Sequence, residues 1–281
     1  MLQFYLRSCH MFKGSIEKLN TLIEYIENNL DKDIDYKSLS RILCVNEYSL
    51  HRIFQFITNL SLTEYIRKRK LTSASIDLLN GSKVIDVAIK YGYDSATSFG
   101  RAFKKMMGFS PKDISKNTNE LKVFPVFDFA NINNNFDEIN YSIKKNISFN
   151  LHCVGKTIPF NDIPKTTSKF WDEMYENKEF ISADTTYGIV EYDKNIDNPK
   201  HLVYHIGSAC PFKGSKEYNI TNKTFLMFSI NSREAIDISN YTNMIYACVI
   251  PYLGYNLDQL PDIEEYVGET TTNIYIPITK K

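Results

Sequence analysis

DVAIKYGYDSATSFGRAFKKMMGFSPKDI, residues Asp86–Ile114, is the stretch whose reading decides the fold of the first part of this chain. Val84 to Tyr91 reads as a short helix, and Gly92 and Tyr93 break it. The spacing predicts a second helix over Ser95 to Met107, with Gly108 as its stop, because glycine takes the left-handed backbone of a helix end. Ser110 and Pro111 open a last helix, since the hydroxyl caps free N–H groups and Pro lacks one that would need a partner. Phe99 and Phe103 fall on one face and belong to a core. Ala96, Thr97, Ser98, Gly100, Arg101 and Lys104 are left exposed. Helix, tight turn, helix describes a helix-turn-helix unit, whose second helix enters the major groove of DNA with its early exposed residues on base edges.

The same pattern occurs upstream. Leu39, Ser40 and Cys44 match Val87, Ala88 and Gly92, and after one extra residue Leu50, Arg52, Phe54 and Ser61 match Phe99, Arg101, Phe103 and Ser110. The first unit therefore exposes Tyr48, Ser49, His51, Arg52 and Gln55. Cys44 puts a side chain in a turn where positive φ would favour glycine. Ile16, Leu19, Ile23, Ile26 and Leu30 predict an amphipathic helix before the repeat, and a longer helix from about Leu62 to Leu79 joins its two units. Arg52 and Arg101 can each pair with guanine O6 and N7, worth about 1–3 kcal/mol of discrimination, or else contact phosphate or a surface acid. His51, Gln55, Thr97 and Ser98 read bases or face solvent. Lys104, Lys105 and Lys112 are placed for phosphate, which positions without specifying. The run Arg67 to Lys70 is a solvated helix face from which one or two residues can reach a duplex.

The 281 residues carry no net charge, yet residues 1–121 hold 18 basic and 13 acidic residues and residues 122–281 hold 15 and 20. Neutrality is a cancellation between a basic half suited to a polyanion and an acidic half with another job. No run of about 18 apolar residues appears, so nothing reads as membrane-spanning, and Met1 to Phe12 does not read as a signal peptide. The scattered Cys9, Cys44, Cys153, Cys210 and Cys248 suit free thiols in a reducing cytoplasm, and no metal or cofactor is implied. His152, His201 and His205 have no recognisable catalytic partner.

Residues 117–140 are rich in Asn and read as a linker or first strand. Beyond them, β-rich runs at Ile147–Ile158, Tyr187–Tyr192, Leu202–Ile206, Thr224–Ile230, Ile263–Val267 and Asn273–Ile278 are interrupted by helices at about Lys165–Asn177 and Tyr241–Val249. The expected fold is an all-helical double helix-turn-helix domain followed by an α+β domain with an antiparallel sheet and two βαββ-type repeats. The divisions are an extension at 1–13, a DNA-binding domain at 14–116, the linker region at 117–140 and an effector domain at 141–281.

The Asp86–Ile114 stretch resembles the signature of the AraC/XylS transcription regulators through Ala88, Gly92-Tyr93, Ser95, Phe99, Arg101, Phe103-Lys104-Lys105, Gly108 and Ser110-Pro111. The first unit is similar, with Ser40 where the family usually has Ala and Cys44 where it usually has Gly. This resemblance implies two recognition helices on successive major-groove faces. The second half resembles the gyrase-inhibitor-like effector-binding domains through Phe170-Trp171, YGIVEY (Tyr187 to Tyr192), the strand with Tyr204 and Gly207, FLMFSI, IPYLGY, PDIEEY and IYIPI. Val249 stands where those domains often have Trp. The resemblance implies a cleft between the repeats, lined by aromatics such as Trp171, Tyr187, Tyr204 and Tyr266, with an acidic residue for cationic, lipophilic compounds. Alternation puts Glu264 and Tyr266 on one sheet face and Glu265 on the other, which makes Glu264 the first choice and Glu265 the second for that carboxylate.

Together these readings describe a cytoplasmic transcription regulator, not an enzyme. It would bind double-stranded DNA and a small-molecule effector, contact RNA polymerase, and work as a monomer or weak dimer. The alternatives are a small-molecule hydrolase using a Glu and a Tyr, and a sequestering drug-binding protein.

Overall fold

The computed structural model describes residues 3–129, 138–159, 162–176, 178–181, 185–193 and 201–279, with the side chains of residues 3–12, 138, 178 and 181 outside the description. The helical half contains α1 (Ser8–Glu27), α2 (Tyr36–Leu43), α3 (Glu47–Thr58), α4 (Leu62–Leu79), α5 (Val84–Lys90) and α6 (Ala96–Met107). Asp35, Asn46, Ser61 and Ser95 cap α2, α3, α4 and α6, each accepting from a backbone N–H of the first turn. The two turns of the repeat both use positive φ, +81° at Gly92 and 58° at Cys44. An L-residue there costs about 1–2 kcal/mol.

Two boundaries differ from the sequence reading. The first helix starts at Ser8, inside the expected extension, because the chain enters it directly from a strand, β1 (Gln3–Arg7). Residues after Ser110 form a six-residue 3₁₀ stretch, Pro111–Lys116. Ser110 Oγ donates to the Asp113 carboxylate at 2.5 Å rather than accepting from a backbone N–H, so the expected cap is absent. The first part of the linker packs on the helical half: Phe127 stacks on Tyr65 with centroids 5.0 Å apart, and Phe124 packs on both. The following Asn-rich residues lie outside the described part.

The second half consists of β2 (Glu138–Pro159), α7 (Ile163–Tyr175), α8 (Lys178–Ile181), β3 (Thr186–Tyr192), β4 (His201–Ser208), β5 (Lys216–Ile230), α9 (Ala235–Met244), a π-helical turn (Ile245–Val249), α10 (Ile250–Leu253), β6 (Asn256–Leu257), β7 (Asp262–Val267) and β8 (Thr271–Thr279). The strand order is β1-β2-β4-β3-β7-β8-β5, with every pairing antiparallel. β2 pairs with β5 through Tyr141–Cys153 and with β4 through His152–Pro159, so the pairings close on themselves. Both long strands start well before the expected Ile147 and Thr224, and β2 passes an irregularity between Lys144 and Ile147, where Asn146 has φ 56°. The order β2-α7-β3-β4 and β5-α9-β7-β8 gives the two βαββ units.

The halves share one apolar core, in which Leu19, Leu50 and Phe54 belong to the same buried cluster as Leu226, Tyr246 and Ile250. Hydrogen bonds fasten them at several points. Ser15 Oγ donates to the Cys248 carbonyl at 2.6 Å, and Lys18 Nζ to that of Pro251 at 3.0 Å, where the helix end leaves carbonyls without donors. Asn46 N donates to Asn256 Oδ1 and Leu257 N to Ser49 Oγ, both at 2.8 Å.

Candidate functional site

A cavity of about 650 Å³ lies between the sheet, α7 and α9. Pleating sends Asp262, Glu264 and Tyr266 of β7 to the same face, and all three reach its wall. Glu264 Oε2 accepts from Tyr204 OH at 2.6 Å and from Tyr266 OH at 2.8 Å, and Trp171 Nε1 donates to Tyr204 OH at 3.1 Å. The Trp171 ring meets Tyr266 edge to face at 4.8 Å. Burial raises the Glu264 pKa above its ordinary value, with the two phenol hydrogen bonds opposing and the nearby Asp262 adding to the rise. Burial, then the charge of Glu264, pushes both phenols well above the usual tyrosine range, so they stay protonated as donors. Gly188 is paired with Glu264 across the sheet, and a Cβ there would collide with Tyr204 OH and Glu264 Oε2. The Glu264–Tyr204 contact requires a residue without a side chain at 188. Arg233 lies over Tyr266, 5.7 Å from its centroid.

The helical half closes part of the same cavity, since Phe56 and Asn59 of α3 and its C-cap are among its walls. Phe56 lies flat on Tyr246 of the π-helical turn, with centroids 4.0 Å apart. Arg52 Nη2 reaches Asp262 Oδ1 at 2.5 Å, with both side chains buried, and the guanidinium carbon stands 3.8 Å from the Tyr192 ring centroid. Burial is the largest single influence and works against the Arg52 charge, but the Asp262 carboxylate together with Tyr246, Tyr192 and Tyr48 outweighs it and raises its pKa. α6 is differently placed. It packs on α4, α5 and the Pro111–Lys116 turn, and presents Thr97, Arg101, Lys104 and Lys105 to solvent.

Residues 39–117 match the helix-turn-helix domain family, and residues 139–279, half of the chain, match the GyrI-like small molecule binding domain family. The chain belongs to the GyrI-like family. Its front half is an AraC-type helix-turn-helix module, and the whole is a DNA-binding regulator with a small-molecule-binding domain. The transcriptional activator AarP of Providencia stuartii is 33% identical over 108 residues, 38% of this chain and 78% of AarP. The regulatory protein SoxS of Salmonella typhimurium is 30% identical over 96 residues, 34% of this chain and 90% of SoxS. The right origin-binding protein of Escherichia coli is 29% identical over 94 residues, and the match spans only 32% of its length. Among solved structures, an integron cassette protein from the mobile metagenome of Vibrio cholerae covers 50% of this chain and 95% of its own, at 14% identity and a TM-score of 0.41.

Within this GyrI-like regulator the structure brings Trp171, Tyr204, Glu264 and Tyr266 together at the cavity. Tyr187 and Glu265 are on the other face of the sheet, where Glu265 accepts from Tyr187 OH, Asn273 Nδ2 and Tyr275 OH. Those two of the six expected effector-site residues are corrected by the strand alternation itself. Val249 is fully buried in the core and is not part of the wall. In the first recognition helix Ser49, His51, Arg52 and Gln55 are buried and Tyr48 half-buried, against the expected exposure. The reason is that α3 has neighbours on two sides, its own domain and the π-helical turn, α9 and β6. His51 also stacks on Tyr36 at 5.2 Å. In α6, Thr97, Arg101, Lys104 and Lys105 are exposed as expected, while Ala96 and Ser98 are half-buried. Of the basic run on α4, Arg69 is held by Glu27 at 2.7 Å and Lys70 donates to the Lys32 carbonyl at 2.9 Å. His205, read as partnerless, has Glu191 at 3.0 Å.

Sequence reasoning missed Asp262, Tyr192, Tyr246 and Gly188. Asp262 was within reach of the alternation argument, two residues before Glu264. The contribution of Phe56 and Asn59 depends on how the halves pack. Among the described residues no group of three or more His, Cys, Asp or Glu could hold a metal ion, and no helix is long and apolar enough to cross a membrane.

Proposed function

We propose that the protein is a cytoplasmic transcription regulator that senses a lipophilic cation in the Trp171–Glu264 cavity. The observation that carries this reading is Glu264. A carboxylate buried in an aromatic wall is costly to keep ionised, and a cation above the Trp171 and Tyr266 rings recovers part of that cost. The 650 Å³ volume suits a ligand of drug-like size. On the DNA side, Thr97, Ser98 and Arg101 of α6 would read bases, with Ala96 adding a methyl contact, while Lys104, Lys105 and Lys112 take phosphates. Tyr48, Ser49, His51, Arg52 and Gln55 would join them only when α3 has left the sheet half. Two reading heads in one chain support a monomer as the operating unit, with RNA polymerase as the further partner at the promoter.

Quenching of Trp171, the only tryptophan, by the dye cation rhodamine 6G tests the pocket. Saturable quenching that is lost in Glu264→Gln is expected. Equal quenching in both proteins would refute the role of the carboxylate. Hydrolysis by the Glu264–Tyr204 pair remains a distinct outcome, read as breakdown of an ester probe that Glu264→Gln abolishes.

A further inference from the structure

The surroundings of Arg52 have the form of a receptor for a cation. Asp262 Oδ1 faces the guanidinium, while Asp262 Oδ2 accepts from Tyr192 OH at 2.6 Å and from Tyr246 OH at 2.8 Å. Those two bonds fix the carboxylate and both rings from within the sheet half, without help from the guest. The guanidinium carbon is 3.8 Å from the Tyr192 centroid and 5.3 Å from that of Tyr246. By contrast, its bond within α3 is long, 3.4 Å to Tyr48 OH, and the Leu260 carbonyl of the sheet half adds a contact at 3.5 Å. The receptor is therefore preorganised and belongs to the effector domain, while the guest belongs to the DNA-reading helix. It also opens on the effector cavity, because Asp262 and Tyr192 stand in that cavity's wall. Asp262 and Glu264 are two residues apart on one strand face, which separates the two carboxylate positions by about 7 Å.

We propose that Asp262, Tyr192 and Tyr246 form a second cation site, selective for flat guanidinium or amidinium groups, which the chain fills with its own Arg52. An effector bearing such a group takes the place of Arg52, and α3 is then free to leave the sheet half and meet DNA. A guanidinium fits because it is planar, stacks on an aromatic face and pairs with a carboxylate, whereas an ammonium is a compact, strongly hydrated charge. The Trp171 and Tyr266 rings beside Glu264 hold the lipophilic body of the same ligand, so this inference rests on the cavity being the effector site.

The test uses the full chain and two probes. Ethylguanidinium should bind Arg52→Ala saturably, slowing amide hydrogen exchange around Tyr192 and Tyr246, at least about tenfold more tightly than it binds the unaltered chain. Binding should vanish in Arg52→Ala/Asp262→Asn. Equal binding to the unaltered chain, or binding that survives loss of Asp262, would overturn the proposal. Should Arg52→Ala not fold, the unaltered chain decides the matter with benzamidine. Faster exchange across residues 47–58 supports displacement of α3, and either no binding or binding without that change overturns it. Rhodamine 6G quenching in Asp262→Asn separates the two readings. Quenching retained there while Arg52→Ala, with Asp262 intact, fails to bind ethylguanidinium sinks the second site alone, whereas no quenching in any variant sinks the pocket.

Discussion

Replacing Arg52 and Asp262 singly and together should give a strongly unequal and non-additive set of stabilities. Breaking a buried ion pair by removing one partner costs about 3–5 kcal/mol, while replacing both by apolar residues of similar size is often close to neutral. Arg52→Met leaves Asp262 with two short phenol hydrogen bonds, at 2.6 and 2.8 Å, and so belongs at the lower end, about 3 kcal/mol. Asp262→Leu leaves a buried guanidinium whose remaining acceptors are 3.4 and 3.5 Å away, and it belongs at the upper end, about 5 kcal/mol. Undocking of α3 sets a ceiling on either loss, because the freed side chain then reaches water. The double variant leaves the Tyr192 and Tyr246 hydroxyls without Asp262 and so recovers only part of the summed loss, for a coupling of about 2 kcal/mol or more. Urea unfolding of the four proteins, followed by Trp171 fluorescence, measures this cycle. Additive losses within about 0.5 kcal/mol, as for an exposed pair, would refute the reasoning. So would a larger loss from Arg52→Met than from Asp262→Leu.

Further outcomes follow from individual residues. The Glu264 pKa is raised, so its contribution to stability is present below the ordinary value of 4.5 and is lost as pH rises through the raised one. Cation affinity runs oppositely: rhodamine 6G binding should weaken as pH falls through the raised value, before an ordinary glutamate would protonate, and a pH-independent affinity would contradict it. Among the described residues Ser40 Oγ is buried without a hydrogen-bond partner, and its counterpart in the repeat is Ala88, so Ser40→Ala should stabilise by about 1 kcal/mol in thermal unfolding. Gly92→Ala, at φ +81°, should destabilise by about 1 kcal/mol. On DNA, Arg101→Ala should relax preference at one base pair by about 1–3 kcal/mol, and Lys105→Ala should weaken all sequences alike and flatten the salt dependence, both read by titration at several salt concentrations.

Local rules carried the sequence reading far. Gly108 ends α6 as the left-handed stop, and the period of two in PDIEEY separates Glu264 from Glu265 without any knowledge of contacts. What escaped was mainly non-local. Whether a polar residue on a recognition helix faces water depends on what else packs there, and nothing within α3 itself reports that β6 and the π-helical turn cover it. The strand β1 pairs with Glu138–Ser142, far along the chain, so five residues near the start gave no local sign of their partner. The π-helical turn is invisible to a search for helical period. The halves carry equal and opposite net charge, yet the interface between them is largely apolar, with Arg52–Asp262 as a buried ion pair.

The pairing of β1 with β2 means that the helical half is tethered to the sheet half at both ends, through β1 into α1 and through the segment that leads to β2. Two tethers hold Arg52 near its cage at an effective concentration of the order of millimolar or more. A freely diffusing guest must compete against that internal dose. The response threshold of such a regulator would thus be set by chain connectivity as well as by pocket chemistry. Severing β1 from the sheet should lower the threshold with no change in the residues that touch the ligand.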